Sequence, residues 1–271
     1  MIPVTTPRIP HLRTDQLWSA FEAIDPVGVL AEELAGTPWS GDGFCRLAPW
    51  SGGTQEQVVL EDLRSGDRRL LPVPALRAFR AAALTTVVAR RLLVPGVVLG
   101  GVLGTGLAAQ VHIALLARYL PDITHVTVFG RPSTPIAARL RDQLDLSGIG
   151  LSVTEDAHEA VLGANLVVAP AGGSGFTGIG QPARGAVLVN SSGGALVSQV
   201  ADRVDQVYVD DPVVVDRQGY RGTVVDLGAV LDGRGARRRV DDILLAELLG
   251  ANALDVRLAW EVHRAVLERS R

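Results

Sequence analysis

The residues of clearest chemical meaning are Gly104-Thr105-Gly106-Leu107-Ala108-Ala109, a G-x-G-x-x-A string between an apolar strand pattern and an apolar helical one. In that setting the first glycine permits a tight turn, the second lets a diphosphate approach the backbone, and a small third residue lets helix and strand pack closely. Unpaired N–H groups at the helix start then receive the anion. Glycines alone would also suit a packing turn; the strand, helix and following strand are what point to dinucleotide binding. The segment closing the next strand, Phe129-Gly130-Arg131-Pro132-Ser133-Thr134, carries no carboxylate for a ribose 2′-hydroxyl. Arg131 offers a planar fork for a 2′-phosphate, and Ser133 and Thr134 add hydroxyls. NADP(H) is therefore the preferred cofactor and NAD(H) the other option. Ala169 and Asn190 close two later apolar strands, where such sheets bind ligands, and complete the expected cofactor set; Asn190 also suits a plain turn.

Composition excludes much else. All 26 basic residues are arginine and no lysine occurs, so a Schiff-base amine and the lysine of a G-x-x-x-x-G-K-[ST] phosphate loop are both impossible. A net charge of −3 gives no broad attraction for a phosphate backbone, and no nucleic-acid partner is expected. Cys45 is the one cysteine, and the five histidines form no close metal-ligand pair, so neither a disulfide nor a metal site is expected. His112, inside an apolar helix pattern, reads as a packed residue. Asp210-Asp211 and Asp241-Asp242 read as strand-end and helix-start features, and Arg234 with Arg237 to Arg239 as a solvated loop. Nothing at the start resembles a signal peptide, and a cytoplasmic protein is expected. Leu92 to Ala117 carries no Asp, Glu or Arg and exceeds the roughly 20 residues of a membrane span. Pro95 and five glycines break it, so strand, turn and helix are expected instead, and no membrane partner.

The elements that must position these residues form an alternation. Short apolar runs from Gly96 to Asp211 are separated by helical stretches, the pattern of a parallel sheet covered on both faces. The fold class is α/β: a Rossmann-type doubly wound sheet over 93–234, with a smaller α+β substrate and dimerisation domain built from both chain ends, 1–92 and 235–271. In that outer part, helices are expected over Asp15 to Ala23 and from Pro26, strands over Gln57 to Leu63 and Arg69 to Val73, and a helix over Leu76 to Leu93. Gly36 to Gly53 reads as loop, and Val240 to Arg271 as one or two helices.

Four further stretches carry a resemblance: Arg80-Ala81-Ala82-Ala83, Val189-Asn190-Ser191-Ser192-Gly193-Gly194-Ala195, Val209-Asp210-Asp211 and Gly250-Ala251-Asn252-Ala253-Leu254-Asp255. In this order they resemble the R-T-A-A, V-N-x-x-G-G-D, V-D-D and G-x-A-x-x-D stretches of the ornithine cyclodeaminase/mu-crystallin family, over about Gln57 to Leu267. The resemblance implies a homodimeric NAD(P)H-dependent reductase or dehydrogenase that transfers hydride to a small imine or amino-acid-derived substrate. It implies that Arg80 anchors a substrate carboxylate and that Arg46, at the place of a family lysine, adds a second positive charge; these two form the expected catalytic set. The chain departs from the family at Arg46 and at Ala195, which replaces the aspartate after the paired glycines. An arginine with a pKa above roughly 12 binds but does not relay protons, which counts against ornithine cyclisation, the third reading. A non-catalytic NADPH-binding protein, mu-crystallin-like, or a partner subunit is the alternative. The proton donor stays open among Ser191, Ser192, Tyr220 and water.

Overall fold

The structure, a computed structural model, describes residues 9–52, 56–131, 136–172, 176, 178–211, 223–250 and 252–269. The first part holds α1 (Thr14–Ala23), α2 (Pro26–Leu34), the antiparallel sheet β1 (Cys45–Trp50), β2 (Gln57–Asp62) and β3 (Arg68–Pro72), and the long α3 (Val73–Leu92). Asp25 caps α2 by accepting the Gly28 N–H at 3.0 Å, with Pro26 in the first turn where its missing donor is harmless. The β2–β3 turn is tightened by the Asp62 carboxylate, which accepts the Arg64 N–H and the Ser65 hydroxyl, both at 2.9 Å. Phe21 of α1 stacks on Phe79 of α3 with ring centroids 3.8 Å apart, which fixes the outer helices to the bridging one.

The long apolar run then divides as its prolines and glycines require. After α3 comes β4 (Val98–Leu103), a glycine turn and α4 (Leu107–Tyr119). The alternation continues through β5 (Ile123–Phe129), α5 (Ala138–Leu146), β6 (Gly150–Thr154), α6 (Ala157–Val161), β7 (Leu166–Ala169), β8 (Val187–Asn190), α7 (Gly194–Val200), β9 (Gln206–Val209), β10 (Thr223–Asp226), α8 (Leu227–Leu231), β11 (Leu244–Glu247) and α9 (Asn252–Arg269). The strands of this part form one eight-stranded sheet in the order β10-β9-β11-β8-β7-β4-β5-β6, every neighbouring pair parallel.

Alternation of side chains along each central strand builds the Rossmann-like core. Leu166 and Val168, Val187 and Val189, and Leu244 and Ala246 join the cluster under α3 and α4. Their neighbours Val167, Leu188 and Leu245 join the cluster with α6 and α7. Both faces are buried, which explains why these strands read as unbroken apolar runs. From β4 the chain moves outward through β5 and β6, then returns to β7 and β8 on the other side. The carboxyl ends of β4 and β7 therefore flank the topological switch point, where open sheets of this class bind ligands.

Four expectations need correction, the first being that Gly36 to Gly53, read as loop, holds β1, a strand through its pairing with β2. The return to the outer domain does not begin at 235, because β11 inserts between β8 and β9; α8 already packs on α2, and α9 then rejoins the outer helices and the small sheet. The same strand replaces the helix expected near Val240: Leu244 to Glu247 is too short for periodicity to separate strand from helix, and its partners lie far off in sequence. Arg237 is no solvated loop residue. Its Nε and Nη2 donate to Leu92 O at 3.0 and 2.9 Å, Nη2 also to Gly185 O at 2.8 Å, and Nη1 to Val240 O and Asp242 O at 2.8 and 2.7 Å. All five of its donors are used, tying the end of α3 to the entries of β8 and β11. Among the described residues no helix is long and apolar enough to cross a membrane.

His112 is the packed residue the sequence suggests. It is wholly buried, and its Nδ1 donates to Ala108 O at 2.7 Å. Burial lowers its pKa from 6.5 to about 4. The unfolded chain therefore binds a proton here at a higher pH than the folded one, so stability is full above 6.5 and drains as pH falls towards 4. Replacing His112 by leucine removes this drain. Urea unfolding at pH 7 and pH 5 is expected to show wild type losing about 2 kcal/mol more than His112→Leu over that interval. Equal losses in the two proteins would refute the assignment.

Candidate cofactor and substrate site

The glycine turn between β4 and α4 lies at the switch point. Gly104 has φ +142°, a conformation that side chains disfavour, and swings the chain out of the strand. Gly106 follows as the helix N-cap, and a Cβ there would meet nothing within 4 Å, so its backbone faces open space. The first α4 hydrogen bond runs from Gln110 N to Gly106 O at 3.1 Å, which leaves the N–H groups of Leu107, Ala108 and Ala109 without helical acceptors. The turn and Ala109 border a cleft of about 170 Å³, walled also by Phe129, Gly130 and the 170–172 segment after β7. Shape is set by close contacts: a Cβ on Gly130 would lie 2.3 Å from Thr105 Cγ2, and one on Gly101 would lie 2.4 Å from Ala160 O. A bare helix N-terminus behind glycine backbone suits a diphosphate in charge and in size. Gln110, which the sequence reading passed over, donates from Nε2 to Thr105 O at 3.1 Å and accepts the Ala137 N–H at 3.2 Å, bracing the turn against the segment after β5.

Arg131 is exposed directly after Gly130, whose N–H is held by Thr154 O at 2.8 Å. Residues 129–131 carry no carboxylate; Ser133 and Thr134 lie outside the described residues. Ala169 is buried at the end of β7, and its carbonyl accepts the Ser191 N–H at 2.9 Å. Asn190 ends β8 wholly buried. Its Nδ2 donates to Gly193 O at 2.7 Å and to Glu247 Oε2 at 2.9 Å, while Oδ1 accepts the Ser192 N–H and hydroxyl at 3.1 and 2.7 Å. Its amide is spent within the chain, so it shapes the 191–193 turn and joins β8 to β11.

The next strand ends bring together residues far apart in sequence. Arg80, on α3, is 6% exposed, and its Nη1 lies 3.1 Å from Asp255 Oδ2 in the first turn of α9. Gly250 makes this approach possible: at φ +98°, its Cβ position lies 2.7 Å from Arg80 Nη1, room that only a hydrogen leaves. Asp210, after β9, accepts the N–H groups of Leu249 and Gly250 at 3.0 and 3.2 Å and holds that loop in place. Burial raises the pKa of both Asp210 and Asp255, and the Arg80 charge opposes the rise at each. Asp255 Oδ1 and Arg80 Nε are buried without hydrogen-bonding partners among the described residues.

Arg46 is not brought to this cluster. On β1 it pairs with Glu61, its neighbour across the sheet, through Nε at 2.8 Å and Nη2 at 2.6 Å, and its side chain is 62% exposed. Ser192 is engaged with Asn190, Ser191 Oγ lies 3.4 Å from Ala169 O, and Tyr220 falls outside the described residues. The sequence treats Asp210 as a strand-end acid and Asp255 as a motif letter; a carboxylate in the first turn of a helix that follows a strand end was the available signal. A larger groove of about 850 Å³ between α1, α4, α5 and α9 is lined by Leu107 and Gln110 at the start of α4 and by none of Arg46, Arg80, Asp210 and Asp255. No group of His, Cys, Asp and Glu among the described residues could hold a metal.

Known proteins share this fold. No curated protein matches the chain by sequence. Among solved structures, CmnK has a TM-score of 0.72 at 21% identity, covering 97% of this chain and 96% of its own. The Δ1-pyrroline-2-carboxylate reductase of Thermococcus litoralis, solved with NADH and L-proline, gives 0.72 at 13% identity over 97% and 98%. An archaeal alanine dehydrogenase dimer with bound NAD gives 0.70 at 15% identity over 97% of each chain. At these identities the likeness shows a shared two-domain fold. The family model of the ornithine cyclodeaminase/mu-crystallin family matches residues 52–270, most of the chain. This protein belongs to the ornithine cyclodeaminase/mu-crystallin family.

Proposed function

We propose that the chain is an NAD(P)H-dependent reductase, or reversible dehydrogenase, acting on the C–N bond of a small imine or amino-acid-derived substrate. The observation that carries this reading is the open glycine cleft at the switch point, on the same carboxyl side of the sheet as the Arg80–Asp255 pair beyond β8. Its fold neighbours solved with NADH or NAD reduce or oxidise such bonds, as their names state, and that supports the reaction class.

Each residue then has a task. The α4 N–H groups receive the diphosphate, and Gly104 and Gly106 admit it. Arg131 takes the 2′-phosphate, with Ser133 and Thr134 beside it in sequence, which makes NADP(H) the preferred cofactor. Ala169 and Asn190 shape the floor under the nicotinamide end, and the bound nicotinamide supplies or takes the hydride. Arg80, with a buried unpartnered Nε–H, holds a substrate carboxylate. The outer domain, with the small sheet and α9, closes over the substrate and forms a homodimer; light scattering at micromolar concentration is expected to give twice the chain mass, and a stable monomer would reject the dimer.

Arg46 favours a second reading. A guanidinium committed to Glu61 at a solvent-facing sheet leaves the substrate pocket without the family's second cation, as in a protein that binds NADPH without turning it over. Turnover separates the two. With Δ1-pyrroline-2-carboxylate, or with pyruvate plus methylamine, the reductase oxidises NADPH continuously, read as loss of absorbance at the dihydronicotinamide band. Saturable NADPH binding without oxidation across such a panel would instead establish the binding protein. Arg131→Asp is expected to weaken NADPH binding at least tenfold, by loss of a charge-assisted contact, while changing NADH less than threefold. An equal change in both would remove Arg131 from the phosphate site.

A further inference from the structure

The hydride reaction leaves a proton to be placed on nitrogen, and the acid that follows the paired glycines in the family is absent here, where Ala195 stands. Resting on the reductase reading, we propose that Asp255 is the catalytic acid and base for the substrate nitrogen, with Arg80 and Asp210 as the residues that position it.

Three carboxylates lie on this side of the sheet, the buried Glu247 ending β11, the buried Asp210 following β9 and the half-buried Asp255 in the first turn of α9, and their hydrogen bonds separate their tasks. Glu247 faces the Asn190 amide through both oxygens, and its side chain is wholly closed to solvent. Asp210 spends one oxygen on the Leu249 N–H and the other on the Gly250 N–H, which makes it a strut for the loop before α9. Asp255 alone of the three has one oxygen committed, Oδ2 to Arg80, and one, Oδ1, with no partner among the described residues. Its side chain keeps 18% exposure where Glu247 is wholly closed, with Oδ1 itself the buried oxygen. Arg80 is nine-tenths buried with its own Nε–H unpartnered, so an unsatisfied donor and an unsatisfied acceptor lie on one ion pair. A substrate that offers an anionic oxygen to Nε–H and a nitrogen to Oδ1 would satisfy both, as a 2-imino or 2-amino acid does.

In the reductive direction the imine carbon receives hydride from the dihydronicotinamide, which is thereby oxidised by two electrons. The C=N π pair moves to nitrogen and takes the proton from Asp255 Oδ1 as that O–H bond breaks. The carboxylate left beside Arg80 is then reprotonated from solvent; in the oxidative direction it accepts the same proton. The charged groups facing Asp255 are Arg80 and Arg77 of α3, which favour the carboxylate; the Arg80 charge acts on Asp210 as well. Burial outweighs both arginines and lifts the Asp255 pKa, which favours a carboxyl able to give up its proton nearer neutrality.

The test compares the full-length wild type with Asp255→Asn and Asp255→Glu, using Δ1-pyrroline-2-carboxylate and NADPH. Asparagine can still accept from Arg80 but cannot carry the proton. Asp255→Asn is expected to lose about 100-fold or more in kcat, with KM and NADPH affinity within threefold of wild type. The wild type is expected to show a kcat that falls as pH rises and Asp255 loses its proton; Asp255→Asn should lack that limb, and Asp255→Glu should restore part of both rate and limb. Asp255→Asn turning over within threefold of wild type on the same pH profile would overturn the assignment. So would Asn and Glu variants equally inactive with NADPH binding intact, since that marks a structural role. If Asp255→Asn does not fold, a wild-type kcat profile without a titrating limb overturns it. A wild type that oxidises no NADPH with any imine rejects the reductase reading itself, and that outcome is distinct from an active enzyme indifferent to Asp255.

Discussion

The ion pair between Arg80 and Asp255 fastens two helices of different parts of the fold at one point. Arg80 belongs to the helix that bridges the outer domain to the sheet, and Asp255 to the helix that returns from the sheet to the outer domain. Burying a guanidinium at 6% exposure is unfavourable unless a carboxylate meets it, and removing one partner of such a pair typically costs about 3–5 kcal/mol. The pair therefore constrains where α3 and α9 can cross the strand ends. Gly250 and Asp210 are consequences of that constraint: one leaves room for the guanidinium, and the other holds the loop that leaves the room.

At the opposite end of the sheet Arg237 plays a purely mechanical part with the same side-chain chemistry. Its five donors close on four carbonyls from α3, the β8 entry and the β11 entry. A lysine, with three donors on one atom, could not match that planar pattern. In a chain without lysine, arginine supplies the structural clip, the buried cation at the strand ends and the exposed cation after β5, and burial and partners alone distinguish the three.

Between these two fastenings the parallel sheet places its carboxyl ends on one side, with the glycine cleft at β4 and β7, the Asn190 amide at β8, and the carboxylates Glu247 and Asp210 at β11 and β9. Redox chemistry on a nicotinamide needs that spread, because the diphosphate and the reacting carbon of the cofactor sit well apart. Family membership and the fold likeness agree with this layout. The layout also explains how a member can lack the usual acid after its paired glycines and still have a carboxyl on the same side of the sheet.

The amino-acid sequence by itself determined what is local. The glycine turn, the strand-and-helix alternation, the Asp25 cap and the packed His112 all depend on neighbours within a few residues or on periodicity, and they stand in the structure where the sequence suggests. The family was legible for the same reason, since its motifs are short strings. What only the tertiary structure decided is pairing over distance. Strand β1 was hidden in a passage rich in glycine and proline because its partner β2 is what makes it a strand. Strand β11 was hidden because four apolar residues carry no period, and its neighbours β8 and β9 come from elsewhere in the chain. Arg46 turned to Glu61, and Arg80 met Asp255 across 175 residues. No local pattern encodes such contacts, because whether a charge is solvated, clipped or buried against its opposite depends on which elements the whole fold packs around it.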